Sequence, residues 1–158
     1  MTVNLKGEEL TLSNERAIFW EREQTLIVSD LHIGKSAHFR KSGISVPDTI
    51  GRTDLQRLSA LMKQYDPVNL IVTGDMFHNK INSDANALLE WRKLHPGLKI
   101  TLIKGNHDEL KNEDYEALDI TVFNKELIIP PFRFIHDKPT REDDYFNICG
   151  HIHPGVVL

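Results

Sequence analysis

Five stretches of this chain each end an apolar run in side chains that can ligate metals. "TLIVSDLH" ends in Asp30 and His32, and "NLIVTGD" ends in Asp75. "KITLIKGNHD" ends in Asn106, His107 and Asp108. "FRFIHD" ends in His136 and Asp137, and "YFNICGHIH" in His151 and His153. The donors are imidazoles, carboxylates and one amide oxygen, with no thiolate. That set suits Mn²⁺, Fe or Zn²⁺ rather than Ca²⁺. Roughly seven candidate ligands are too many for one tetrahedral ion, and fit two ions about 3.5–4 Å apart that share a bridging carboxylate.

Each piece alone has a bland reading. A lone D-x-H is weak, a G-D after a strand is usually a turn, and H-x-H can be incidental. "GNHD" is more telling, because Asn-His-Asp after a buried strand is poorly explained by folding. All five in order, each at the end of an apolar run, favour a site over coincidence.

The elements must bring these ends together. "VNLKGEELTL" reads as a hairpin, and "RAIFWEREQTLIVSD" as two further strands. "TDLQRLSALMKQY" spaces Leu55, Leu58, Leu61 and Met62 as a helix starting at Thr53 or Asp54. "NLIVTGD" is a short buried strand. "SDANALLEWRKLHPG" is a helix closed by Pro96-Gly97. "KITLIKGNHD" is a strand, "DELKNEDYEALD" is helical or irregular, and "ELIIPPFRFIHD" and "YFNICGHIH" are strands. The pattern predicts an α/β fold, a mixed sheet or two sheets covered by helices. Open α/β sheets bind ligands beyond the carboxyl ends of their strands, where the five clusters lie. Positions i and i+2 of an extended segment share a side, so Asp30 with His32, and His151 with His153, should each aim at one place. Leu31 and Ile152 should face the core. Gly74, Gly105 and Gly150 precede three of the clusters and allow sharp exits and close backbone approach.

The totals set the bounds. A chain of 158 residues suits one domain with one substantial core. No apolar run approaches the roughly 18 residues of a membrane span. The polar, acidic start "MTVNLKGEEL" does not resemble a signal peptide. Cys149 is the only cysteine, so a disulfide framework is excluded and a cytoplasmic home is expected. The net charge of −4 gives no global sign of nucleic acid or an anionic membrane as partner.

The order D-x-H, G-D, G-N-H-D, H, G-H-x-H over residues 30–153 resembles the calcineurin-like metallophosphoesterases. The resemblance implies a two-sheet sandwich flanked by helices (αββα) with a dinuclear site at the strand ends. It implies Asp30, His32, Asp75 and His153 as ligands of one metal. Asp75, Asn106, His136 and His151 would hold the other, with Asp75 bridging. His107 would contact the phosphate and protonate the leaving group, and Asp108 would orient its neighbours. A water shared by the metals, deprotonated near neutral pH, would attack phosphorus in line. "ERAIFWEREQTLIVSDLHIGKSAHFRKSGISVP", "GDMFHNK" and "LEWRKLHPGLKITLIKGNHD" more narrowly resemble the ligase-associated DNA damage response endonucleases of the PdeM type. That implies DNA as substrate, Mn²⁺ as the usual metal, and association with an ATP-dependent DNA ligase and a helicase.

A local basic stretch agrees with a nucleic acid substrate. Lys35, His38, Arg40 and Lys41 follow the first motif, with no acid before Asp48, and Arg52 and Arg57 come after. A solvated loop is the competing reading. His78 either lines the cleft or is a surface histidine. His95 reads as a favourable charge at a helix end. Trp20, Trp91 and Phe77 could stack bases, with core packing the better reading for Trp91. Cys149 reads as a small buried hydrophobe. Two other functions share these motifs: a small-molecule phosphodiesterase or phosphatase, and a non-catalytic binding module, which would be expected to have lost ligands. Members of the family continue past G-H-x-H with further strands. Residues 1–158 are therefore expected to be a single domain truncated at its C-terminus.

Overall fold

Three apolar runs set the centre of the fold. "TLIV", "NLIV" and "KITLI" have too few polar positions to face water on either side, as expected of central parallel strands. In the computed structural model, which describes residues 1–35, 43, 49–78 and 83–151, they are β4 (Thr25–Val28), β5 (Asn69–Val72) and β6 (Lys99–Ile103), mutually parallel. Three antiparallel strands precede them: β1 (Thr2–Leu5), β2 (Glu8–Ser13) and β3 (Ala17–Trp20). β7 (Ile120–Phe123) adds a further parallel strand beside β6, giving the order β1-β2-β3-β4-β5-β6-β7. Sequence reading missed β7. It has four residues between an acidic segment and a turn, too short to show a period.

A second sheet has the order β10-β9-β8. β8 (Glu126–Ile129) and β9 (Phe132–Ile135) form a hairpin, and β10 (Phe146–Cys149) runs parallel to β9. The expected single segment "ELIIPPFRFIHD" thus divides at Pro130-Pro131, where two prolines remove two ladder donors.

Alternation along the central strands sorts the side chains into two cores. Leu26, Val28, Leu70, Val72, Ile100 and Leu102 face, among the described residues, three helices. These are α1 (Thr49–Tyr65), α2 (Ser83–Leu94) and α3 (Asn112–Ala117). Leu55, Leu58, Leu61 and Met62 of α1 are buried against the sheet, as their spacing predicts, though α1 begins earlier, at Thr49. Ile27, Ile71 and Ile103 point the other way, onto Phe132, Phe134 and Ile148 of the second sheet. Trp20 is fully buried there, edge-on to Phe132 at 4.9 Å. Its indole N–H donates to Glu8 at 2.8 Å, and Arg22 pairs with the same carboxylate at 2.6 Å. Helices on one face of a sheet and a second sheet on the other make an α/β sandwich.

Register is what positions the site. Val28 pairs with Val72, Val72 with Leu102, and Leu102 with Val122. β4, β5 and β6 therefore end level, and the segments carrying Asp30, Asp75 and 105–108 leave the sheet side by side. In the second sheet Ile135 pairs with Cys149, so His136 and His151 also leave together. Among the described residues, no helix is long and apolar enough to cross a membrane.

Candidate metal centre

Beyond Val28 the chain no longer forms a strand; it follows the segment after β5. The Asp30 N–H donates to the Gly74 carbonyl at 3.1 Å, and the His32 and Ile33 N–H groups donate to Asp75 and Met76, each at 2.9 Å. Asp30 and His32 have φ of 52° and 47°, Asp75 52° and His151 59°. All four stand in the left-handed region, uncommon for residues other than glycine and concentrated at functional sites. The expected alternation of an extended Asp30-Leu31-His32 is therefore corrected. These side chains converge because the backbone turns, although Leu31 is buried as predicted. Ile152 and His153 lie outside the described residues.

Two groups of side chains share Asp75. In one, single ligand atoms of Asp30, His32 and Asp75 all lie within 4.8 Å of one another; in the other, those of Asp75, His136 and His151 do. Asp75 is buried, with one oxygen 3.6 Å from His136 Nε2 and the other accepting the His107 N–H at 2.9 Å. The Nδ1 of His136 is 3.0 Å from the Thr73 carbonyl, which suits an N–H donated there and a lone pair kept on Nε2. Ser29 Oγ and, at 3.2 Å, the His151 N–H both donate to Oδ2 of Asp30. The rings of His136 and His151 are 4.9 Å apart.

These atoms fit a metal on a structural criterion. Asp30 Oδ1, His32 Nδ1 and His136 Nε2 are buried without a hydrogen-bond partner. Buried polar atoms are seldom left so, and these three belong to the two groups that share Asp75, as metal ligands would. Burial first, and the Lys35 ammonium second, hold the His32 imidazole below its ordinary range. The neutral ring is the form that ligates.

The glycines make room. A Cβ on Gly105 would collide with Asp75 and stand 2.8 Å from His136 Cε1. One on Gly74, at φ +90°, would strike the His136 ring, and one on Gly150 would strike Ser29. The expected role of these positions in close approach is met by named neighbours.

Asn106 is exposed and shares a cleft with His136. His107 lies next to the first group, its ring 5.4 Å from His32 and stacked on His78 at 4.9 Å. His78 is half-buried, with its ring also 5.8 Å from that of His32. Asp108 is buried and uses both oxygens on backbone, accepting from Phe77 N–H at 2.9 Å and Gly105 N–H at 2.8 Å. It ties the segments after β5 and β6 together, as an orienting residue would. Burial raises its pKa, against the pull of those two amides.

Lys35 is exposed beside His32, and His38, Arg40 and Lys41 lie outside the described residues. Arg57 is held by other groups. It donates to the Glu15 carbonyl at 2.6 Å and pairs with Asp54 at 3.6 Å. Trp20, Trp91 and Phe77 are buried and cannot stack bases. His95 packs on Trp91 at 4.5 Å, and burial with Arg92 nearby pushes its pKa down, which disfavours a helix-end charge. Cys149 is half-buried, and burial, Asp137 and Asp30 push its thiol up. Sequence reading missed Ser29 and the Thr73 carbonyl. The first could have been suspected from its place before Asp30; a backbone acceptor leaves no signal.

The family model for calcineurin-like phosphoesterases matches residues 24–157. The crystal structure of Pseudomonas putida nuclease MPE superposes with a TM-score of 0.83 and 30% sequence identity, over 98% of this chain and 74% of that one. A transmembrane protein with a metallophosphoesterase domain from Danio rerio is 21% identical over 131 residues, 79% of this chain. The chain spans 26% of that relative's length.

Proposed function

The chain belongs to the calcineurin-like phosphoesterases and is a metal-dependent phosphoesterase, and from that premise we propose that it is a nuclease that hydrolyses phosphodiester bonds of DNA in repair. The observation that carries this reading is the pair of ligand groups sharing Asp75 with His107 beside them. The similarity to a nuclease at 30% identity supports it. In this proposal residues 1–158 belong to one cytoplasmic metallophosphoesterase domain, in functional association with an ATP-dependent DNA ligase and a helicase.

Asp30, His32 and Asp75, with His153, would hold one divalent ion, and Asp75, Asn106, His136 and His151 a second, most simply Mn²⁺. When bound, the two ions would acidify a water and offset charge on the phosphoryl oxygens. The remaining work falls to the chain. The Thr73 carbonyl and Ser29 fix His136 and Asp30 before substrate arrives. The His107 backbone is anchored to Asp75, which holds its ring at the rim of the site; there it would contact the phosphate and give a proton to the leaving oxygen. His78, stacked on His107, would limit that ring's rotation and contact the same phosphate. Asp108 keeps the two segments in register. Lys35, with His38, Arg40 and Lys41, would hold the strand electrostatically.

The test is cleavage of labelled single-stranded, nicked and duplex DNA with Mn²⁺. Wild type should cut at least one of these, and His107→Ala should fall by roughly 10²–10⁴-fold in kcat. Turnover of nucleotides or phosphomonoesters with no cleavage of any DNA would replace the nuclease reading by a small-molecule phosphodiesterase or phosphatase.

A further inference from the structure

The segment after β9 forms the wall of a cleft that opens beside His136 and Asn106, with a volume of about 360 Å³. That is within the range of a site for one small ligand unit. Its charges divide into two sets. Arg133, only 2% exposed, pairs with Glu126 at 3.4 Å and with Asp143, donates to Asn147 at 3.3 Å, and lies under the Tyr145 ring at 5.4 Å. Arg141 pairs with Glu126 at 3.0 Å and Asp143 at 3.2 Å. Two guanidiniums and two carboxylates neutralise one another, and the network fastens residues 141–145 to the sheet.

What remains in the wall is basic. Lys104, Lys125 and Lys138 line the cleft, against Asp137 alone. The Lys104 ammonium sits over the Tyr115 ring at 5.1 Å. Lys125 and Lys138 are exposed, and among the described residues neither side chain has a carboxylate partner. Asp137 accepts the Lys138 N–H at 2.7 Å, which turns part of its charge toward its own backbone. Among the described residues no Phe, Tyr or Trp lines the cleft, so it lacks a broad platform for a base. Asn124 and Thr140 add neutral hydrogen-bonding groups.

We infer that this cleft is the subsite for the sugar-phosphate backbone flanking the scissile phosphate, with Lys125 and Lys138 contacting a phosphate of the strand. The inference rests on the nuclease reading. It adds a second basic flank, beside His136 and Asn106, where Lys35 stands beside His32. A strand held on Lys125 and Lys138 passes His136 and Asn106 before it reaches His107. Contacts of this kind set position and affinity but read no sequence.

The test is binding of a fluorescein-labelled single-stranded oligodeoxynucleotide by the full chain in EDTA, where no cleavage occurs, over a range of NaCl concentrations. The double variant Lys125→Gln/Lys138→Gln should bind more weakly and flatten the slope of log K against log salt by about 1.4, two phosphate contacts' worth for a single strand. The loss should be equal for oligonucleotides of different sequence. Lys63→Gln/Lys99→Gln removes two exposed charges at the far end of the sheet and should leave the slope unchanged. An unchanged slope in the Lys125/Lys138 variant, or no binding by wild type at low salt, overturns the subsite. Wild-type cleavage of the same oligonucleotide with Mn²⁺ separates the two claims. Cleavage with an unchanged slope removes the subsite alone, and turnover of a small diester without oligonucleotide cleavage removes the nuclease reading and the subsite with it.

Discussion

Replacing Asp75 by Asn would keep the side chain's shape and remove its charge from both ligand groups at once. The expected result is a folded protein without metal-dependent diester hydrolysis, checked by circular dichroism beside turnover. Gly105→Ala should act from behind, because its Cβ collides with Asp75. Both metal affinity and thermal stability should fall, and calorimetry of the two properties in one variant checks this. At this scale the residues of the two ligand groups were largely legible. Acids and histidines stand out against the apolar runs they end, and their order is distinctive. What could not be read was conformation. Left-handed φ at Asp30 and His32 accompanies amides bonded to the neighbouring segment, and at His151 an amide bonded to the Asp30 carboxylate, tertiary facts with no local signature.

At the level of elements, β4, β5 and β6 were legible because unbroken apolar runs have few alternatives, and α1 because its leucines repeat at helical spacing. β7 was not, since four residues carry no period, and the Arg57 contact with the Glu15 carbonyl was not, since the sequence does not say which way a helix presents its charges. The helical layer should answer to packing. Leu58 is fully buried under the sheet, and Leu58→Ala should cost about 2–5 kcal/mol of stability in denaturant melts, with the ligand groups otherwise intact. The end of α2 should answer to pH. Burial depresses the His95 pKa in the folded state from its ordinary 6.5, so the unfolded chain takes up the proton first. The contribution is present above about pH 6.5 and is lost as pH falls through the folded value. Wild type should therefore lose more thermal stability than His95→Gln between neutral and mildly acidic pH; parallel Tm-against-pH curves for the two would refute this.

Across the whole molecule, two sheets end level and turn their carboxyl ends toward one place, and the site exists only because both do so. Asp30, Asp75 and the 105–108 segment come from one sheet, His136 and His151 from the other. Metal binding should therefore couple the sheets. Chelation should lower the Tm and saturating Mn²⁺ should restore it, the stabilisation being about 2.7 kcal/mol at one hundred times Kd for a single site. The most direct test of this arrangement is the number of ions bound per chain after equilibrium dialysis against Mn²⁺, measured by elemental analysis for wild type and Asp75→Asn. Two ions per wild-type chain, falling to one or none in the variant together with diester hydrolysis, is the expected result. A single ion in wild type, or two retained by Asp75→Asn, would contradict a centre built on a shared Asp75.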